Sequence, residues 1–351
     1  MTSRWPWLVA PQWGRGNDYG QTSSCGGLRV TFDQALRHYW HPVAELRQIT
    51  AEPQQFRLLG EKIVAYRADE EIVALHDKCV HRGVALSTGC IRDGRLMCPY
   101  HGWQYDPSGK VAFIPSLGSS GSIPVNARVD RYRTREDYGL LWVALEEPVA
   151  DPPPWPDDDW NSADWKVFLV GTWSWRSSAG RMIENAVDFS HFNFVHEGFT
   201  ELADGPVITP FEVELTTDGL TYSYDDTLLV RTYTLHVPFT LHDRKTVVAE
   251  GGGRTWSEKG KSKAGDVTTI SFIASPTEDA ETRIFAFLSR NHSFDLPDED
   301  FAGGFDEIME QDRVVVETQE PPELPLDPRE ELHLKVADSA SIAYRKLLRQ
   351  L

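Results

Sequence analysis

The chain has 351 residues, 40% of them hydrophobic and 25% charged, with a formal net charge of −18. It is long enough for two domains and a sizeable core, and its composition is that of a globular protein rather than a disordered one. The acidic balance argues against a nucleic-acid binder held by phosphate contacts. No apolar run reaches the roughly 18 residues of a membrane span, and the N-terminus Met-Thr-Ser-Arg-Trp-Pro-Trp lacks the apolar core of a signal peptide. Cytoplasmic residence is the expectation.

In chain order, residues 1–35 read as an N-terminal arm, rich at first in Trp, Gly, Ser and Gln without periodicity. Thr31-Phe-Asp-Gln34 fits a capping box that opens a short helix running to His38 or Tyr39. His38 and His41 belong to no ligand-spaced cluster and read as structural. From Gln55 to His76 come runs of β-branched and apolar residues, Phe56–Leu59, Lys62–Tyr66 and Ile72–Leu75, broken by Gly60 and by Asp69-Glu-Glu71 as strands are by turns. Further strands are predicted at Val111–Ile114 and Leu140–Leu145. Residues 36–146 are therefore expected to form a small antiparallel β domain.

Two arms interrupt those strands: Cys79-Val-His81-Arg-Gly and, after residues 82–97, Cys98-Pro-Tyr-His101-Gly-Trp. Structural zinc is one reading, but zinc arms usually pair Cys with Cys or His with His. Here each arm carries one of each, which suits a 2Fe-2S cluster with two cysteines on one iron and two histidines on the other, the Rieske ligation. Neutral imidazoles in place of thiolates raise the cluster's potential. Of the four cysteines, Cys25 and Cys90 remain, and both read as free thiols in a reducing compartment. Lys78, Arg82, Arg92, Arg95 and Lys110 concentrate positive charge around the arms. They are either solvated loop charge or a dock for an acidic redox partner.

Residues 147–164 form a linker whose five prolines between Glu146 and Trp160 forbid central strand and helix. Val167–Trp175 then looks like a strand. Asn185-Ala-Val-Asp188-Phe-Ser-His191-Phe-Asn-Phe-Val-His196 follows, and on a helix Asp188 and His191 would share a face. His191 and His196 would diverge by roughly 140° on a straight helix, so both can meet one metal only if the second lies past the helix end or across a distortion; Gly198 is consistent with an ending. Alternating runs at Phe211–Leu215, Thr221–Tyr224, Leu229–Leu235, Thr268–Ile273 and Arg283–Ser289, with an Asp218-Gly219 turn, predict antiparallel sheet. Phe239 and Phe272 read as core packing or pocket lining. Glu250–Asp266 reads as a long loop, a candidate pocket cover.

Late in the chain Phe301, Phe305, Ile308, Asp312 and Val315 or Val316 recur at helical spacing. A carboxylate in an apolar stripe must be paired or bind metal. With His191 and His196, Asp312 is the candidate to complete a two-histidine, one-carboxylate triad that leaves iron open positions; Asp306 is the rival, off the stripe. Asp338 or Ser339 is the N-cap candidate of a terminal amphipathic helix.

Cys-Val-His-Arg-Gly together with Arg95-Leu-Met-Cys-Pro-Tyr-His-Gly-Trp-Gln-Tyr-Asp106 and Gly109 resembles the signature of the Rieske non-heme iron oxygenases. Asn185, Asp188, His191, His196, Asp312 and Glu317 resemble the catalytic pattern of the same family. Asp-x-x-x-Ile-x-Tyr-Arg from Asp338 resembles the end of its single-component-type α subunits, which include vanillate and dicamba O-demethylases and methylxanthine N-demethylases. The resemblance begins near residue 35 and implies an α+β chain: an all-β Rieske domain over 36–146 followed by a helix-grip catalytic domain over 165–351. It implies a Rieske 2Fe-2S cluster on Cys79, His81, Cys98 and His101, and mononuclear Fe(II) on His191, His196 and Asp312. Asn185 and Asp188 would be catalytic, Asp188 linking His101 of one subunit to His191 of its neighbour in a homotrimer. The implied activity is that of a terminal oxygenase which takes electrons from a separate reductase or ferredoxin and uses O2 to hydroxylate or demethylate a small organic substrate. Ring cis-dihydroxylation is an alternative, and so is an electron carrier with an inactive second domain. No Gly-x-Gly-x-x-Gly follows a strand, so no nicotinamide or flavin fold is expected within this chain.

Overall fold

The computed structural model describes residues 32–118, 121–156, 160–197, 202, 204–249 and 263–351. The first 30 residues with Cys25, the capping Thr31, Gly198 and most of the loop 250–266 lie outside them. Helix α1 (Phe32–Leu36) stops earlier than expected and continues as hydrogen-bonded turns to Tyr39.

The first half of the described chain is built from ten short strands: β1 (His41–Glu45), β2 (Gln54–Leu58), β3 (Glu61–Ala68), β4 (Glu71–His76), β5 (Cys90–Arg92), β6 (Arg95–Met97), β7 (Gln104–Tyr105), β8 (Val111–Phe113), β9 (Arg133–Asp137) and β10 (Leu140–Ala144). They form three antiparallel sheets ordered β1-β10-β9, β2-β3-β4 and β5-β6-β7-β8. The β2–β3 hairpin turns at Leu59 and Gly60, both with positive φ, where glycine carries no steric cost. Strands β1 and β9 escape sequence patterning for opposite reasons. Every residue of β1 is buried, so it has no alternation, and β9 reads Arg-Thr-Arg-Glu-Asp.

The second half is one seven-stranded antiparallel sheet in the order β11-β17-β16-β15-β14-β13-β12. Its strands are β11 (Lys166–Trp175), β12 (Val213–Leu215), β13 (Gly219–Asp225), β14 (Leu229–His236), β15 (Thr240–Val247), β16 (Val267–Glu278) and β17 (Glu281–Arg290). The expected strands are present; β15 is additional, hidden in the sequence by the charged run His242-Asp-Arg-Lys245. Helices α2 (Ala179–Val187), α3 (Phe192–Val195), α4 (Glu299–Val316) and α5 (Ser339–Leu348) complete an α+β chain. Asp338 occupies the N-cap of α5, but its carboxylate accepts from Leu334 N instead of capping.

Side-chain alternation along the central strands sorts two layers. Ile270, Ala274, Ile284, Ala286 and partly buried Phe272 pack with Met182, Ile183, Phe305 and Met309 of the helices. The intervening Ile273, Phe285 and Phe287 face the opposite way and pack with Leu140, Trp142 and Trp155. Trp155 is the linker's contribution: its ring lies 5.1 Å from Tyr138 and 5.1 Å from Phe287 between centroids. Backbone bonds Leu59 N to Pro276 O and Gly60 N to Thr277 O, with Arg283 Nη1 donating to Val43 O, tie the small sheets to the large one. Residues 32–351 accordingly cluster as one compact unit. Among the described residues no helix is long and apolar enough to cross a membrane.

Candidate active site

The two Cys/His arms meet at one tip. Their local folds are alike: Gly83 N donates to Cys79 O at 2.8 Å and Gly102 N to Cys98 O at 3.0 Å, each closing a turn four residues after its cysteine. Both glycines have positive φ, +73° and +69°, a conformation costly for other residues. These turns bury Cys79 and Cys98 while His81 and His101 stay exposed, their rings 4.6 Å apart between centroids. Tyr105 Oη donates to Cys79 Sγ at 3.1 Å and accepts from Val80 N at 3.1 Å. Two buried sulfurs opposite two exposed imidazoles fit a 2Fe-2S cluster that the cysteines would hold on the inward side and the histidines at the surface.

A hydrogen bond to a ligand sulfur draws charge from the cluster and raises its potential. Tyr105→Phe is therefore expected to lower the midpoint potential while the cluster's absorbance and content are retained, as redox titration followed by electron paramagnetic resonance (EPR) would read.

Among the described residues, the group of possible ligands gathered within 4.8 Å of one another is His191, His196 and Asp312. The way the backbone achieves this corrects one expectation. Asp188 does not share a helix with His191: α2 ends at Val187 and Asp188 is extended, with φ −88° and ψ 134°. Ser190 N and Oγ both donate to Asp188 Oδ1, at 2.9 and 2.5 Å, and this local turn aims Asp188 Oδ2 at His191 Nδ1, 3.1 Å away. His191 then occupies the N-cap and His196 the C-cap of the single-turn helix α3. The break supplies the rotation a straight helix could not.

Each histidine offers Nε2 to the centre, and its Nδ1 is engaged elsewhere. His196 Nδ1 lies 2.9 Å from Gln311 Oε1, and His191 Nδ1 is held by Asp188. These contacts fix the tautomer and orientation that metal ligation needs. From α4, Asp312 brings Oδ1 to 3.1 Å from His196 Nε2 and 3.5 Å from His191 Nε2. Asp312 Oδ1 is buried without a partner of hydrogen-bond geometry. A desolvated carboxylate oxygen aimed between two imidazole nitrogens is costly alone and is satisfied by a cation. The residues present therefore fit a mononuclear iron site.

Burial raises the Asp188 carboxyl, but hydrogen bonds from His191 and Ser190 outweigh it and hold the group below its ordinary value. Asp188 Oδ2, engaged by His191, thus has acceptor capacity left for a further donor. The rival Asp306 lies away from the centre and accepts from Trp173 Nε1 at 3.1 Å. Glu317 accepts from Arg176 and Arg313, tying the end of α4 to the end of β11, and does not join the centre. His38 and His41 are structural: His41 Nε2 contacts Leu36 O, and burial lowers it to about 4.

A cavity opens beside the triad. Apolar side chains such as Trp175, Ile270, Phe272 and Phe305 line it with Asn185, and from β15 come Asp243 and Lys245. Phe272 is thus both core and pocket wall; Phe239 is core. Asp243 Oδ2 pairs with Lys245 Nζ at 3.2 Å. Neither this pair nor Gln311 is marked by sequence spacing.

Comparison with known proteins identifies the family. Residues 39–132 match the family model of the Rieske [2Fe-2S] domain, and residues 175–351 match the vanillate O-demethylase oxygenase C-terminal domain. The chain is 30% identical over 332 residues to methylxanthine N1-demethylase NdmA of Pseudomonas putida, covering 90% of this chain and 89% of the relative. A solved structure of NdmA from Pseudomonas putida superposes with a TM-score of 0.76 at 29% identity, covering 91% of this chain and 92% of that one. Dicamba monooxygenase bound to dicamba superposes with a TM-score of 0.71 at 21% identity, covering 90% and 98%, which speaks to the fold alone.

Proposed function

This chain belongs to the Rieske non-heme iron oxygenases, as an oxygenase component with a vanillate O-demethylase-type C-terminal domain, and from that premise we propose how its residues divide the work. The protein is a terminal oxygenase that carries a Rieske 2Fe-2S cluster and mononuclear iron, acts with a separate reductase, and oxidatively demethylates or hydroxylates a small organic substrate. The observation that carries the residue assignment is the convergence of His191, His196 and Asp312, whose buried Oδ1 has no partner of hydrogen-bond geometry, at a largely apolar cavity. An electron carrier with an inactive second domain would have no use for that arrangement.

Cys79 and Cys98 hold one iron of the cluster, and His81 and His101 the other; His191, His196 and Asp312 hold the mononuclear iron. When bound, these centres supply single-electron transfer and oxygen activation. The chain's own residues do the rest. Gln311 and Asp188 keep both imidazoles presenting Nε2, and the apolar walls exclude water from the reacting carbon. Attack at a methyl on nitrogen or oxygen ends in loss of formaldehyde; attack at an unactivated C–H ends in an alcohol.

Assembly follows the same logic. Val80 and Tyr100 at the cluster tip are exposed apolar residues, and so is Phe194 beside His191. We propose that the tip of one copy seats on the Asp188–Phe194 surface of the next in a homotrimer, where Asp188 accepts from the neighbour's histidine. Lys78, Arg82, Arg92 and Lys110 are exposed, and no ion pair among the described residues involves them. They suit docking of an acidic redox protein, with electron transfer that slows as salt rises. A cytoplasmic location is proposed.

Asp188→Ala is expected to leave both metal centres loaded yet uncouple them, so that the reduced cluster persists under oxygen and substrate. Rapid-mix EPR checks this; cluster reoxidation at the parental rate in the variant would sink the bridge. The overall reading is tested by iron and sulfide analysis with EPR of the dithionite-reduced protein. About three irons and two sulfides per chain, with a rhombic cluster signal, are expected.

A further inference from the structure

The substrate cavity is apolar on most sides; outside the triad, its neighbour Asn185 and the indole N–H of Trp175, its polar lining is the charged β15 wall. There Asp243, 5% exposed, lines the cavity. Its Oδ2 is engaged by Lys245 Nζ, while Oδ1 is buried without a hydrogen-bond partner. The register places Tyr233 opposite Asp243 and Arg231 opposite Lys245, so the carboxylate stands near one buried cation, Arg231, and one partly buried, Lys245. Arg231 lies behind Phe192, its guanidinium 5.3 Å from that ring centroid. Of these residues Asp243 and Lys245 line the cavity, and Asp243 Oδ1 is an acceptor with unused capacity that can only accept.

Resting on the reading of this cavity as the substrate site, we infer that Asp243 selects the substrate by accepting a hydrogen bond from an N–H of an apolar ring. The class it fits is an N–H-bearing heterocycle or lactam rather than an aromatic acid. A lactam places a carbonyl beside its N–H, the complement of a carboxylate flanked by an ammonium. An aromatic carboxylate could pair with Lys245 but has no donor to offer Asp243 Oδ1, which would stay buried and unmet. A ring whose nitrogen is methylated would leave Oδ1 buried and unmet, the situation that gives polar sites their selectivity.

Binding decides this without turnover. Calorimetric titration of the iron-loaded holoenzyme, anaerobic and without reductase, is run with carbostyril (a fused lactam), N-methylcarbostyril and naphthoate. Carbostyril is expected to bind roughly 10- to 100-fold more tightly than either analogue, the range of one charge-assisted hydrogen bond. In Asp243→Asn that preference should shrink to within about threefold. Because this substitution removes the carboxylate paired with Lys245, the double variant Asp243→Leu, Lys245→Met is measured beside it, with cluster absorbance as the check of folding. Tighter binding of naphthoate, no binding of carbostyril to the parent, or a preference retained in either folded variant overturns the inference. Loss of preference with intact binding of all three probes supports it. Absence of product formation with a reductase bears on the oxygenase assignment and leaves these affinities readable.

Discussion

Replacing His196 by alanine is expected to abolish substrate turnover and to lower the iron content from about three to about two per chain, with sulfide unchanged at about two. Of the triad, His196 is the imidazole held wholly inside the protein, 1% exposed, with Nδ1 on Gln311 and Nε2 3.1 Å from Asp312 Oδ1. Without it, Asp312 and His191 offer two ligand atoms, too few to hold iron(II) in a facial arrangement. The tip is a separate construction, closed by its own turns at Gly83 and Gly102 and by Tyr105, so the rhombic signal of the reduced cluster should persist. Turnover retained at the parental rate would remove these residues from the chemistry. Joint loss of both centres would mean that the tip's integrity depends on the triad, against the local hydrogen bonds that define it.

What could be read from the sequence divides by the range of the interactions. The Cys79/His81 and Cys98/His101 arms are legible because ligand spacing within a few residues encodes the loop. His191 and His196 are legible for the same reason, and Asp312 because a carboxylate in an apolar helical stripe violates the pattern around it. The actual path of Asp188 was not legible. The sequence is compatible with a continued helix, and only the Asx turn to Ser190 shows that the chain leaves it. Asp243 and Lys245 were hidden more deeply. They point inward from a central strand, where patterning expects apolar residues, so strand β15 and its pocket role disappeared together. Gln311 acquires its role from a contact with His196, 115 positions away, and no local pattern records that. The polar groups that function places inside the fold are thus the ones that erase the signal of the elements carrying them.

The same principle governs the C-terminal helix, whose motif looks peripheral in the sequence yet is joined to the site. Tyr344 Oη donates to Pro238 O at 2.9 Å, and Arg345, 1% exposed, donates to both oxygens of Glu184 at 2.5 and 2.7 Å and to Pro325 O at 2.9 Å. It also meets Glu331, which Arg181 engages from the other side at 2.7 Å. Glu184 sits on α2 immediately before Asn185, so this network fixes the helix from which Asp188 and His191 emerge. Arg345→Met should cost about 3–5 kcal/mol, because it removes a fully buried guanidinium and leaves the partly buried Glu184 with less counter-charge. A fall in melting temperature of roughly 10 °C is the expected reading. The double variant Glu184→Gln, Arg345→Met should recover part of that loss, since no uncompensated charge remains. The pH dependence has a definite sign. Burial opposes ionisation of Glu331, but Arg181 and Arg345 outweigh it and bring the group down to about 2 from 4.5. A depressed carboxyl contributes stability that is complete above its unfolded value and disappears as pH falls toward the folded one. The parent should therefore lose this contribution between about pH 4.5 and 2, and Arg345→Met should lose less over the same interval. An equal acid sensitivity in parent and variant would place the stabilising charge pair elsewhere in the fold.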